Sequence, residues 1–159
     1  MYGIAIKASD VGYTPDLNEA FKILGNLTHK YNWLLSDYEC TCYPSEKIPF
    51  NKHFVWLDGS DFTSILNEYP IRFIWGVATA YKKDIELSEV LKHSLPFADN
   101  PVFLQIEATM QHPFAEMEIV PYDSSFLFVI SKSKDIIDKF INEYPQAQSF
   151  AEYNRSRTI

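Results

Sequence analysis

The sequence predicts an α+β fold with a single mixed, mostly antiparallel sheet and about three helices packed on one of its faces. Segments with apolar residues at alternate positions, typical of strands, are interleaved with segments whose apolar residues recur at helical spacing. Strand patterns over 101–131 follow one another without an intervening helix, which requires antiparallel pairing. The sequence shows no boundary that would divide the 159 residues, so we expect one globular domain over 1–159 with a short basic C-terminal tail.

The elements follow from these two periodicities. Alternating or short apolar runs predict strands over 2–8, 31–42, 53–57, 71–81, 102–110, 116–120, 125–131 and 148–153. Helical spacing predicts helices over 15–30, 62–69, 84–95 and 136–144. Thr14 as N-cap and Pro15 at the first helical position mark the start of the first helix. Prolines and polar residues predict a loop over 43–52.

Composition excludes several classes of protein. The chain has 14 basic and 21 acidic residues, and this net charge of −7 disfavours binding to nucleic acid. It contains no apolar run of about 18 residues, so we predict no membrane-spanning helix. The N-terminus is typical of a first strand rather than of a signal peptide, which indicates a cytoplasmic protein.

The two cysteines, Cys40 and Cys42, are separated by one residue and are poorly placed to bridge each other. A closed metal site needs about four ligands, and no second cysteine pair accompanies His53. We therefore interpret both as structural or incidental thiols in a reducing compartment. A nucleophilic pair of either cysteine with His53 stays a weaker alternative.

The motifs of common catalytic sites are missing. The sequence has no GxGxxG, GxxxxGK or GxSxG pattern, and none of its four histidines stands in an HExxH arrangement. We predict no catalytic residue, no metal and no cofactor, and we favour a non-enzymatic protein.

Acidic residues are concentrated in one quarter of the chain. Residues 84–123 contain eight acidic residues and one basic residue, so this segment alone accounts for the net charge of −7. If strands 102–109 and 115–120 pair as a hairpin, burial of their apolar residues places Glu107, Glu116 and Glu118 on one outward face. Like charges across a strand pair are destabilising, so something should offset them.

This acidic face has several interpretations. It is a solvated face that serves solubility, or a docking face for a basic protein through Glu107, Glu116, Glu118 and Asp123. A divalent metal site formed by Glu107, Glu118, Asp123 and His112 is a further alternative, ahead of catalytic carboxylates. Arg155 and Arg157 either fold back onto the face or extend into solvent.

Several short motifs resemble a known family. They are Pro121-Tyr122-Asp123-Ser124-Ser125-Phe126, the alternating strand and helix after it, the closing Asn154-Arg155-Ser156-Arg157-Thr158, and Tyr31-Asn32-Trp33. Together they resemble domain-of-unknown-function family 2691 over about half of the chain, outside residues 43–120. The resemblance implies a small bacterial cytoplasmic domain with no assigned activity, and Asp123, Ser125, Arg155 and Arg157 would be the shared positions.

The leading hypothesis is a non-enzymatic interaction module that binds a basic partner. Small acidic α+β domains that neutralise toxins act in this way, which is an analogy of fold only. The alternative is a protein that binds a small ligand or a divalent metal in a cleft beside the sheet, and this alternative includes an enzyme. A homo-oligomer built on exposed aromatic residues is the third interpretation.

Overall fold

The computed structural model describes residues 1–42, 50 and 52–157. The strands of this part of the chain are β1 (Tyr2–Lys7), β2 (Tyr31–Thr41), β3 (Phe54–Asp58), β4 (Arg72–Lys82), β5 (Met117–Tyr122), β6 (Phe126–Ser131) and β7 (Gln148–Ser149). They form one sheet in the order β3-β2-β4-β5-β6-β1-β7, and each neighbouring pair is antiparallel. The predicted α+β class with a single sheet is confirmed, and the described strands pair without a parallel neighbour.

The described residues also form six α-helices, more than the sequence predicts. They are α1 (Ala8–Val11), α2 (Leu17–Leu24), α3 (Gly59–Glu68), α4 (Leu87–Val90), α5 (Lys134–Glu143) and α6 (Phe150–Ser156). Two 3₁₀ helices, Gly25–Lys30 and Pro101–Leu104, complete the set. The helix predicted over 15–30 is therefore α2 followed by a 3₁₀ helix, and its N-cap is Asp16 rather than Thr14 because Asp16 and Glu19 form a capping box.

The three longest helices, α2, α3 and α5, pack on one face of the sheet. Aromatic rings form the centre of this layer: the ring of Phe21 lies 4.7 Å from that of Trp33 and 4.8 Å from that of Phe62. Such rings bury large apolar areas, which stabilises the face on which the prediction placed its helices.

The opposite face of the sheet is covered as well, which corrects the prediction of helices on one face. Phe103, Phe128 and Phe150 form one apolar cluster there, and Leu34, Tyr81 and Val90 form a second. The cover consists of α4, the irregular segment 97–114 and α6. The helix predicted over 84–95 is confirmed only at Leu87–Val90. The rest of the cover was missed because 102–110 and 148–153 were predicted to be strands of the sheet.

The strand predicted over 102–110 is wrong. Pro101 occupies the first turn of a 3₁₀ helix, and the Asn100 side chain accepts a hydrogen bond from the Val102 N–H. Phe103 is buried, whereas Leu104 and Ile106 are 56% and 52% exposed, the reverse of the expected alternation. Met117–Tyr122 consequently pairs with β4 and β6 rather than with this segment.

The last predicted strand, 148–153, is confirmed only at Gln148–Ser149. Ser149 and Glu152 form a capping box that starts α6, so the chain turns into a helix where an extended tail was expected. Arg155 belongs to this helix, and Arg157 lies over the Tyr153 ring, 5.5 Å from its centroid.

Three further expectations concern the remaining residues. Both cysteines are free. No helix in the described ranges is long and apolar enough to cross a bilayer. The loop predicted over 43–52 lies outside the described residues except for Phe50 and Lys52.

Candidate functional site: an acidic pocket beside an exposed tryptophan

The structure does not bring Glu107, Glu116 and Glu118 together on one outward face. Glu107 is exposed in the irregular segment after Leu104 and lines a cavity that Lys134 and Asp138 of α5 also border. Glu116 precedes β5, where its Oε1 accepts a hydrogen bond from Lys132 Nζ at 3.1 Å and lies 4.0 Å from Lys82 Nζ. The carboxylate of Glu116 is thus already neutralised by lysines of the chain itself.

Glu118, a residue of β5, is fully buried beneath the segment that covers this strand. Its Oε1 accepts a hydrogen bond from the Gln111 N–H at 2.7 Å, while Oε2 has no partner. Burial raises the pKa of this carboxyl to about 7 against the lowering effect of the backbone N–H groups of Gln111 and His112. A carboxyl group buried in this way cannot contact a protein partner. Glu118 is therefore not part of a docking face.

The metal alternative also lacks a site in the described part of the chain. No group of three or more histidine, cysteine, aspartate or glutamate side chains is placed to hold an ion there. His112 is used structurally: its Nδ1 accepts a hydrogen bond from the Phe114 N–H, and Nε2 lies 3.0 Å from the Val90 carbonyl oxygen. Burial lowers the pKa of His112, which favours this neutral ring.

For Cys40, the pairing with His53 as a nucleophile is disfavoured by the thiol itself. Burial raises the pKa of Cys40 to about 11, and the charges of Cys42 and of nearby carboxylates act in the same direction. A nucleophilic cysteine needs the opposite shift, because the thiolate is the reactive form.

Asp123 is the one predicted site residue that lines a pocket with other free carboxylates. A cavity of about 470 Å³ is bordered by Asp37, Asp99 and Asp123, with the ring of Trp75 and the side chain of Tyr122. Trp75 is 36% exposed, although it lies in the long strand β4. We call this group of five residues the acidic pocket.

Two backbone irregularities direct these carboxylates into the pocket. The pairing of β2 with β4 shifts register between Ser36 and Glu39, and Asp37 at this bulge has a φ of 44°. Asp123 and Ser124 have φ values of 52° and 51° at the turn between β5 and β6. Backbone strain of this kind is concentrated at functional sites, and here it places two aspartates at one opening.

Two of the three carboxylates of the acidic pocket, those of Asp37 and Asp99, accept hydrogen bonds. Asp37 Oδ2 accepts from the Ala98 N–H at 2.7 Å, and Asp99 Oδ1 accepts from the Tyr122 hydroxyl at 3.0 Å. Within the described residues, no lysine, arginine or histidine nitrogen lies within 4.0 Å of Asp37, Asp99 or Asp123. The pocket therefore presents uncompensated negative charge to solvent.

The phenol of Tyr122 responds to this charge. Its hydrogen bond to Asp99, followed by partial burial and by the charges of Asp99 and Asp123, raises its pKa. A negative field that opposes ionisation of a phenol stabilises a cation placed at the same point. The exposed indole of Trp75 adds a ring face to which ammonium and guanidinium groups bind well.

Comparisons of the chain with protein-family models, with curated proteins and with solved structures found no match. The resemblance to domain-of-unknown-function family 2691 therefore stays a prediction.

Sequence reasoning missed four of the five pocket residues as site residues: Asp37, Asp99, Trp75 and Tyr122. Two signals were present. Ser36-Asp37 interrupts the apolar run of the strand predicted over 31–42, which is typical of a bulge. Asp123-Ser124 between two strands is typical of a turn with positive φ, a conformation that aspartate tolerates. Neither signal reveals that the two positions lie at the same opening.

Proposed function

We propose that this chain is a non-enzymatic interaction module that binds a basic segment of a protein partner at the acidic pocket. The proposal keeps the partner chemistry expected from the sequence and moves its site from the predicted hairpin face to Asp37, Asp99 and Asp123. The observation that carries it is the exposed ring of Trp75 bordered by these three carboxylates, none of which has a cation of the described chain within 4.0 Å.

The chemistry of the pocket suits a lysine or arginine side chain. Carboxylates accept charge-assisted hydrogen bonds from such a group, while an indole face attracts the same cation. Each contact at a solvated site contributes only about 1 kcal/mol, so selective binding needs several of them at once. An excess of negative charge around the opening also increases the rate at which a basic partner associates. An immunity-like role would use such a surface, by analogy only.

Peptide binding tests this proposal. The probe is acetyl-tetraarginine amide, with acetyl-tetraglutamate amide as the negative probe, titrated by calorimetry at low ionic strength. The test variant replaces Asp37, Asp99 and Asp123 by Asn, which keeps a hydrogen-bond acceptor and tolerates positive φ. We expect it to bind tetraarginine about tenfold more weakly than the unmodified protein does, and we expect Trp75→Leu to weaken binding as well.

The matched control removes the same charge elsewhere. Glu68→Gln, Asp84→Asn and Glu143→Gln change three exposed carboxylates outside the acidic pocket. This control should bind tetraarginine like the unmodified protein. Equal loss of affinity in both triple variants would mean that only net charge matters, and the proposal would be wrong.

A further inference from the structure

A second pocket adjoins the acidic pocket and differs from it in containing two cations, Lys7 and Arg157. Its cavity of about 770 Å³ shares Asp99 and Tyr122 with the acidic pocket and extends to Lys7 and Arg157. We propose that this aromatic pocket binds a small planar aromatic molecule that bears a carboxylate. The inference does not rest on the proposed function: Asp99 and Tyr122 border both pockets, but Lys7, Arg157 and the stacked phenylalanine rings that carry the inference are not part of the acidic pocket.

Parallel aromatic rings form the apolar part of this pocket. The ring of Phe128 is stacked on Phe103 at 5.1 Å and on Phe126 at 5.5 Å, with interplanar angles of 6° in both cases. The ring of Tyr153 lies edge-on to Phe126 at 5.6 Å. A planar ligand can continue this arrangement, because aromatic rings pair favourably in stacked and in edge-to-face geometry.

The two cations of the pocket converge on one ring. Lys7 Nζ lies 5.7 Å and Arg157 Cζ 5.5 Å from the centroid of Tyr153, and Arg157 Nη1 donates a hydrogen bond to the Tyr153 hydroxyl at 3.2 Å. In the ranges that the structure describes, neither cation has a carboxylate within 4.0 Å. Their mutual repulsion would be offset by a ligand anion placed between them.

The polar groups of the pocket orient such a ligand. Lys7 and Arg157 define a positive end at Tyr153, whereas Asp99 and the Tyr122 hydroxyl define a negative end. A carboxylate is therefore directed towards Tyr153 and away from Asp99, with the aromatic ring over Phe126 and Phe128. The cavity volume lies within the range of about 300–1,000 Å³ that is usual for small-molecule sites.

Three small probes separate ring recognition from charge recognition. Indole-3-acetate has both features, indole-3-acetamide lacks the charge, and cyclohexylacetate lacks the aromatic ring. Calorimetric titration of the full chain should show that indole-3-acetate binds about tenfold or more tightly than either of the others. Binding of the acetate and the acetamide with equal affinity, or no binding of indole-3-acetate at millimolar concentration, would overturn the proposal.

Substitutions then test whether indole-3-acetate binds in the aromatic pocket. The double variant Lys7→Gln with Arg157→Gln should bind indole-3-acetate about tenfold more weakly and should bind indole-3-acetamide with unchanged affinity. The control, Lys22→Gln with Lys139→Gln, removes two positive charges from α2 and α5 on the other face of the sheet. Equal weakening by both pairs would contradict the proposed site.

Each proposal can be tested without the other. Replacement of Asp37 and Asp123 by Asn should leave indole-3-acetate binding intact, and replacement of Lys7 and Arg157 should leave tetraarginine binding intact or strengthen it. A variant of the aromatic ring, Phe126→Leu, keeps an apolar side chain. It should lower the affinity for both indole probes to a similar extent. An unchanged affinity for both indoles in Phe126→Leu would show that they bind outside the aromatic pocket.

Discussion

At the scale of single residues, the two buried carboxyl groups Asp16 and Glu118 use their oxygens differently. Asp16 accepts hydrogen bonds at both oxygens, from the Leu17 N–H at 2.7 Å and from the Phe73 N–H at 2.8 Å, with Arg72 Nε at 3.6 Å. Glu118 accepts at Oε1 only. Burial raises the pKa of Asp16 to about 6 and that of Glu118 to about 7, despite these hydrogen bonds.

Glu118 should make the stability of the protein depend on pH. Its pKa is higher in the folded chain, about 7, than its ordinary value of 4.5, so the folded state binds more protons between these pH values. The free energy of unfolding therefore falls as pH rises through this window, by about 3 kcal/mol from this group. We expect Glu118→Gln to remove that dependence and to be more stable than the unmodified protein at pH 8, but not at pH 4.5.

Urea unfolding at the two pH values measures this effect. In Glu118→Gln, the amide oxygen of the new side chain can keep the hydrogen bond from Gln111, and its amino group can donate where Oε2 has no partner. Thr79 faces Glu118 across the β4–β5 pair, and its Oγ1 is also unpartnered, so it is a candidate acceptor. If the free energy of unfolding changed with pH equally in the unmodified protein and in Glu118→Gln, the pH dependence would not come from Glu118.

The corresponding change at Asp16 should have the opposite result. Asn can accept from only one of the Leu17 and Phe73 N–H groups, and its own amino group then faces the other donor. We expect Asp16→Asn to lower the free energy of unfolding by about 2 kcal/mol at pH 8. Asp61→Asn, an exposed position in the first turn of α3, is the control and should change stability by less than about 0.5 kcal/mol. Equal stability of the two variants would show that both oxygens of Asp16 are not needed.

At the scale of elements, the start of α3 depends on close contact with the backbone before β2. Gly59 is buried, and a Cβ at this position would lie 1.8 Å from the Thr28 carbonyl oxygen and 2.9 Å from that of Tyr31. The Thr28 carbonyl is held in place because it accepts a hydrogen bond from Trp33 Nε1 at 3.0 Å. Only glycine allows the helix to approach this segment so closely.

Gly59→Ala should therefore destabilise the protein strongly. The contact is with backbone atoms that cannot rotate away, so we expect a loss of about 3 kcal/mol, at the upper end of overpacking effects. Thermal and urea unfolding measure it, with the exposed helix position Ser64→Ala as control. A loss below about 1 kcal/mol in Gly59→Ala would mean that α3 can shift without cost.

At the scale of the whole molecule, the second face of the sheet is covered by segments held through polar contacts between distant positions. Asn154 Nδ2 of α6 donates to the Phe103 and Gln105 carbonyl oxygens at 3.1 and 2.8 Å. Ser36 Oγ donates to the Pro96 carbonyl oxygen at 2.7 Å. These contacts fix the irregular segment 97–114 over the apolar clusters and thereby form one wall of both pockets.

Loss of the Asn154 contacts should loosen this cover selectively. We expect Asn154→Ala to lower the free energy of unfolding by about 1–3 kcal/mol, because the buried Phe103 carbonyl and the partly buried Gln105 carbonyl lose their donor. Amide hydrogen exchange should accelerate over 97–110 before it changes in α2 or α5. Asn142→Ala, at an exposed position of α5, is the control. Uniform acceleration across the chain would contradict a local role for Asn154.

The strands and the three long helices could be predicted because they depend on contacts within each segment. The continuous apolar run of Phe126–Ser131 is typical of a strand buried on both faces, and the apolar residues of Lys134–Glu143 recur at helical spacing. The segment 102–110 has an alternation, but it is misleading. Pro101 and Asn100 favour a 3₁₀ turn there, and the buried side chain is Phe103 rather than Leu104 or Ile106.

The sequence by itself determined the α+β class, the succession of the main elements and the excess of negative charge. Only the tertiary structure decided which acidic side chains lie together. It buries Glu118 and pairs Glu116 with lysines. It leaves Trp75 bordered by three carboxylates, those of Asp37, Asp99 and Asp123. The physical reason is the separation of the contacts along the chain. Asp37 and Ala98, joined by a hydrogen bond, are 61 residues apart, and no local periodicity specifies such a pair.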